Sequence, residues 1–303
     1  MKYLFYFTLL LLGLSACDNG DIEAPTFEFE EEITTCDDYK ALYLSNADNT
    51  EAFILQLSSG DIAADFGVDQ IPITATNTNY RIFDSAFTPD YFCTPIPPAT
   101  PSVLTDWKGV SGSENYIQIE TTLALSSSKI GHKHTITLHN LKLEKSDDES
   151  ILQENFDFGS FTISFNGALD FCDDDDNMTI YMSNTGNTEA FVLQLPSNAI
   201  VAEESIIEIP ITATNLNYNV YNSSFGNEFF CTTPTSITPS ITESWKGVAA
   251  EDSYIQIETT LISDTVDSGY KYQITFYNLE LETADEESVF VENFDFGSFS
   301  IEE

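Results

Sequence analysis

The sequence predicts an all-β protein built of two tandem homologous β-sandwich domains, Ig-like or jelly-roll-like, with one disulfide in each. Three observations predict this: an internal duplication, short alternating strands within each copy, and a cysteine pair in each copy.

The duplication organises everything else. "NTEAFILQL" at Asn49 recurs as "NTEAFVLQL" at Asn187, and "YIQIETTL" at Tyr116 recurs unaltered at Tyr254. "WKGV" and "ENFDFGSF" also recur, every pair 138 positions apart, and about half of the aligned residues are identical. That period is too long for a solenoid repeat and fits an ordinary domain. The organisation read from the sequence is residues 1–16, residues 17–35 as an acidic tether, a first repeat over 36–168 and a second over 169–303.

Within each copy, apolar and polar residues alternate. Ile117, Ile119 and Leu123 fall on one face of a strand, and Gln118, Glu120 and Thr122 on the other. "EAFILQL", "IPITAT", "YRIF", "HTITLHNLKLE" and "NFDFGSFTISF" add strands rich in β-branched and aromatic residues. Asn-Gly, Asp-Asn and Pro-rich turns separate them at sandwich spacing. Seven or eight strands per copy are expected, with no amphipathic helix; a small barrel is the competing architecture. "FEFE" in the tether offers a further edge strand. "CTPIPPATPSVLTDW" has a linker's composition, but its counterpart "CTTPTSITPSITESW" keeps the same 14-residue step from cysteine to tryptophan. Both are therefore expected to be ordered loops.

The N-terminus has the layout of a secretory signal peptide: Lys2, an apolar run from Tyr3 to Leu14, then small residues. That run is too short for a permanent membrane span. "LSAC" (Leu14 to Cys17) resembles the lipobox of bacterial lipoproteins. The resemblance implies cleavage before Cys17 and its acylation, which tethers the mature chain to a membrane it does not cross. Asp18, Asp21 and Glu23, with no lysine near them, point to the outer membrane and a surface-exposed position. "DSA" at Asp84 and "DTV" at Asp264 resemble short O-glycosylation sequons of surface lipoproteins.

The net charge is −40, with 50 acidic and 10 basic residues. A field of that sign repels phosphate backbones and anionic headgroups, so no nucleic-acid partner is expected, and the lipid on Cys17 is the only membrane partner. The chain is 13% aromatic and 42% hydrophobic, enough for packed cores, so the charge does not signal disorder.

Besides Cys17 there are Cys36, Cys93, Cys172 and Cys231. Four cysteines allow three pairings, and the duplication selects Cys36–Cys93 and Cys172–Cys231, which let each copy close its own loop. Export supplies the oxidising compartment.

Few constellations carry chemistry. All three histidines lie in the first copy, and His132, His134 and His139 become Tyr270, Tyr272 and Tyr277 in the second. Tyrosine suits a half-exposed aromatic slot and makes a poor zinc ligand, so surface packing is expected there. Nucleophile motifs are absent. Glu120, Glu154 and Asp157 recur as Glu258, Glu292 and Asp295, which keeps a carboxylate-based hydrolase as a distant alternative to a non-enzyme. No cofactor is expected, except that the acidic turns Asp147, Asp148, Glu149 and Asp285, Glu286, Glu287 are candidates for structural calcium.

Trp107 and Trp245, each in "WKGV", are the only tryptophans. They either plug one end of the sandwich beneath the disulfide-anchored loop or form, with Tyr116 and Tyr254, platforms for stacking on a sugar or gripping a peptide. The exposure of the two indoles distinguishes these readings. The leading expectation is a lipid-anchored surface lipoprotein that presents two β-domains for glycan or protein binding. The alternative is an acidic shielding lipoprotein with no specific ligand.

Overall fold

A computed structural model of the chain describes residues 27–301 except 31, 37–39, 59, 63–64, 95, 147–148, 166, 168, 174–176, 227, 232–237 and 263–268. The first repeat forms β1 (Thr34–Thr35), β2 (Ala41–Ser45), β3 (Glu51–Gln56), β4 (Gly67–Pro72), β5 (Thr78–Phe83), β6 (Val103–Gly109), β7 (Tyr116–Leu125), β8 (Ile130–Glu144) and β9 (Ser150–Phe165). The second forms β10 (Leu169–Asp173), β11 (Asn177–Ser183), β12 (Glu189–Pro196), β13 (Ser205–Pro210), β14 (Leu216–Tyr221), β15 (Ile241–Gly247), β16 (Tyr254–Leu261), β17 (Tyr270–Glu282) and β18 (Ser288–Ile301). Two short 3-10 turns, Pro89–Phe92 and Ser197–Ala199, are the helical elements among the described residues. The chain is thus all-β, with two sandwich-like domains of nine strands.

The two sheets share one topology. The first runs β1-β2-β3-β5-β6-β8-β7-β4 with β9 on β8, and the second runs β10-β11-β12-β14-β15-β17-β16-β13 with β18 on β17. One edge of the long β17 pairs with β16 through Tyr254↔Tyr277 and with β15 through Lys246↔Glu282, while its other edge carries β18. A single long strand therefore serves both halves of the sandwich. Opposite Ile274 and Thr275 the ladder slips by one residue, leaving Phe296 as a bulge beside Gly297 at φ +121°. Gly159 takes φ +110° at the same place in the first copy. Only glycine adopts that conformation cheaply, and the bulge lets Phe294 and Phe296 both turn inward, which accounts for the unaltered "FDFGSF".

Burial explains the strand patterns. β7 alternates as foreseen, with Ile117, Ile119 and Leu123 inside. β12 is buried without a break from Glu189 to Leu193 because both its faces are covered there: Phe191, Leu193 and Leu195 face the main core, while Ala190 and Val192 face a second cluster with Cys172, Tyr181, Tyr221 and Phe225. Phe229, Phe230 and Cys231 pack against that second cluster. Cys36–Cys93 and Cys172–Cys231 are both formed, at Cα separations of 5.2 and 5.0 Å. Each closes a loop of 57 or 59 residues, so Cys172→Ala with Cys231→Ala should cost about 4 kcal/mol on the chain-entropy argument. Urea unfolding of the variant against the parent checks this.

"FEFE" forms no strand. Phe27 and Phe29 instead pack their rings into the first domain, Phe27 lying 5.2 Å from Tyr80 and 5.4 Å from Phe156. Ring burial outweighs an edge ladder here because it removes two large apolar side chains from water.

The chain folds as two compact units, and these do not coincide with the sequence repeats. The first comprises residues 27–62, 69–119 and 136–159; the second adds residues 63–68 and 120–135 to residues 160–301. The core of the second unit accordingly contains Leu123 and Ile130, both buried, with Phe66, Leu125 and Phe165 packed against it.

Candidate functional sites

Both tryptophans are buried, Trp107 at 7% exposure and Trp245 at 2%. They offer no open face for stacking, and the platform reading loses them. Trp245 belongs to the main core of its unit and not to the cluster that holds Cys172 and Cys231. It pairs with Tyr218 across β14 and β15. The Lys145 ammonium stands 5.1 Å over the Trp107 ring. Tyr116 and Tyr254 remain half-exposed, but each is stacked on its cross-strand partner, His139 at 4.7 Å and Tyr277 at 4.8 Å.

What "WKGV" does place at the surface is its lysine. Gly109 and Gly247 end β6 and β15 where a Cβ would come within 2.8 Å of Ile73 Cγ2 or 2.7 Å of Ile211 Cγ2. Only glycine permits that approach. In the first domain Lys108 lines a cleft of about 640 Å³ with Thr105, Asp106, Glu144 and Lys145. The equivalent residues of the second domain, Glu243, Ser244, Lys246, Glu282 and Thr283, line a cleft of about 870 Å³. Asp285 and Glu287 of the acidic turn and Phe66 of the β3–β4 loop complete the second cleft. Structure thus brings together two features that the sequence kept apart, the "WKGV" lysine and the acidic turn.

The two clefts differ in charge. In the first, Arg81 Nε donates to Asp106 Oδ1 at 2.9 Å, Lys142 pairs with Glu144 at 2.5 Å and Lys145 with Glu149 at 2.8 Å. Those three cations are Asn219, Glu280 and Thr283 in the second copy. Ser244 donates to Asn219 Oδ1 at 2.7 Å, a neutral replacement for the Arg81 pair. Burial, reinforced by the Glu287 carboxylate, raises the pKa of half-buried Glu243.

The recurring carboxylates Glu120, Glu154, Asp157, Glu258, Glu292 and Asp295 are all exposed on outer strand faces and line neither cleft. Asp295 accepts from Gln273 Nε2 at 2.6 Å. Of the calcium candidates, Asp147 and Asp148 lie outside the described residues, and Glu149 is ion-paired to Lys145. Among the described residues, no three His, Cys, Asp or Glu side chains, Asp285, Glu286 and Glu287 included, converge as a metal-binding group. Cys17, Asp174–Asp176 and Asp264–Val266 also lie outside the described residues.

The histidines lie deeper than expected. His132 and His134 do share a face, but it is buried rather than half-exposed, at 7% and 1% exposure. His132 Nε2 lies 3.0 Å from Glu189 Oε2. The same carboxylate accepts from Tyr218 Oη, and its other oxygen accepts from Asn184 Nδ2 at 3.0 Å. Glu189 is only 3% exposed, so these donors replace the water it has lost. Burial and the Glu189 charge push the Tyr218 phenol well above its ordinary range. In the first copy Tyr80 donates to half-buried Glu51 at 2.6 Å, with no histidine added. Sequence reasoning missed this cluster, although its recurring members, Asn46–Glu51–Tyr80 and Asn184–Glu189–Tyr218, stand 138 positions apart.

Among the described residues no helix is long and apolar enough to cross a membrane. Compared with known proteins, the chain matches no family model, no curated protein and no solved structure.

Proposed function

We propose that the protein is a surface-exposed outer-membrane lipoprotein, held by a lipid on Cys17, whose two β-domains each bind a glycan or protein partner in the cleft beside "WKGV". The observation that supports this reading is the recurrence of the cleft. Two copies that differ at about half their positions keep a concavity between the same strands, each with a lysine in its wall. An ammonium donor next to carboxylate acceptors suits the hydroxyls of a sugar or the backbone of a peptide. The charge difference between the clefts suits different partners, or different parts of one partner.

The test uses the soluble chain carrying Cys17→Ser, applied to a glycan array and to purified envelope proteins. Lys108→Ala with Lys246→Ala should weaken any ligand found by about tenfold or more. Unchanged affinity in the double variant would move the site elsewhere. A chain that binds nothing favours the shielding reading, which 50 acidic residues against 10 basic ones and the buried tryptophans support.

A further inference from the structure

We infer that the second domain's cleft receives an arginine side chain of a partner polypeptide. The inference deepens the proposal that the clefts are binding sites, and it rests on that proposal.

Four carboxylates, Glu243, Glu282, Asp285 and Glu287, line this cleft together with one ammonium, Lys246. The first domain's cleft has its counter-charges built in. Arg81 donates to Asp106, Lys142 pairs with Glu144, and Lys145 stands in the wall itself. In the second copy those three cations are Asn219, Glu280 and Thr283, and Thr105 has become Glu243. The second cleft therefore keeps the concavity and adds an acid, but loses the cations that answer its acids. A cation carried by a partner restores that balance.

The rest of the wall says which cation fits. Phe66 contributes a half-buried ring, against which Trp245 packs at 5.9 Å. The Trp245 N–H is buried and completes no hydrogen bond. Burial first, then the Glu287 charge, raise the pKa of Glu243, and the nearby Trp245 N–H opposes them. A guanidinium that holds Glu243 ionised also gives this N–H a charged acceptor. Guanidinium is planar, stacks on aromatic rings and presents five N–H donors, so it meets spread carboxylates and the Phe66 ring together. A metal ion suits the wall less well, because no three of these side chains converge as a metal-binding group. Lys246, opposite Glu282 across the ladder, serves the carbonyl oxygens of the same peptide.

The test is a chemical-shift titration of the full soluble chain carrying Cys17→Ser. The probe is acetyl-Gly-Ser-Arg-Ser-Gly amide, compared with the same peptide bearing citrulline, which keeps the shape of arginine without its charge. Resonances of residues 243–247 and 282–287 report the second cleft, and those of residues 105–108 and 144–146 the first. The arginine peptide should bind the second cleft about fivefold or more tightly than the citrulline peptide, with no such preference at the first. Glu243→Thr with Thr283→Lys, which copies the first cleft, should remove the preference. Glu258→Gln with Glu292→Gln changes the net charge equally on the outer strand faces and should leave it intact. An equal preference at both clefts overturns the inference, as does a loss in the outer-face pair as large as in the cleft pair. Lys246→Ala should weaken both peptides alike. A cleft that binds both peptides through Lys246 without preferring arginine refutes this inference alone, and one that binds neither refutes the binding reading with it.

Discussion

Expressed alone, residues 169–303 are expected not to fold, although the repeat pattern marks them as a complete copy. The second compact unit takes Leu123 and Ile130 into its core at 5% and 0% exposure, with Phe66, Leu125 and Phe165 against it. Fully burying a side chain of this kind contributes about 1.5–3 kcal/mol, so their loss amounts to about 5 kcal/mol or more. That is comparable with the entire stability of many domains, about 5–15 kcal/mol. Removing His132 also leaves buried Glu189 one donor short. The fragment should bind a hydrophobic dye and lack near-UV circular dichroism; cooperative unfolding at parental stability would refute the dependence. A milder form of the experiment keeps the whole chain. Ile130 aligns with Ser268, and Ile130→Ser should cost about 2–4 kcal/mol through the cavity and the buried hydroxyl.

Acid should destabilise the second unit through His134. Burial, then the neighbouring His132, lowers its pKa from 6.5 to about 4. The unfolded chain takes up this proton near the ordinary imidazole value and the folded chain only near pH 4. Between those values the unfolded state binds more protons, and stability falls as pH falls. The loss begins just below pH 6.5, is complete near pH 4 and integrates to about 3 kcal/mol. Urea unfolding between pH 7.5 and 4 measures it. The second copy shows how to remove the effect: Tyr272 occupies the equivalent place, buried and stacked on Phe299 at 5.1 Å. His134→Tyr should flatten the profile over this range, and a profile as steep as the parent's would assign the acid lability to other groups.

Much of this fold is legible one residue at a time. Alternation in β7 follows from strand periodicity and the pairing of the cysteines from the duplication, and both are found in the fold. The candidate sites were less legible. "WKGV" drew attention for its tryptophan, yet the indole is core and the neighbouring lysine is the residue at the cleft. Adjacent residues on a strand point to opposite faces, and sequence does not say which face is covered. The histidines were assigned to a surface slot because tyrosine replaces them in the second copy. The partner of His132, Glu189, is 57 positions away in the other repeat, while His134 bonds Thr121 on the neighbouring strand.

By itself the sequence determined the all-β class, two copies, the disulfide pairing and the acidic charge, because each depends on composition, period or internal comparison. Tertiary structure decided where the second unit draws its boundary, which aromatic rings are core, and that a lysine and an acidic turn meet at one cleft. Those outcomes depend on which apolar surfaces bury one another across long sequence separations, and hydrophobic burial is non-directional and blind to repeat boundaries. Residues 120–135 lie inside the first copy and pack as part of the second unit because the apolar side chains Leu123 and Ile130 are buried there.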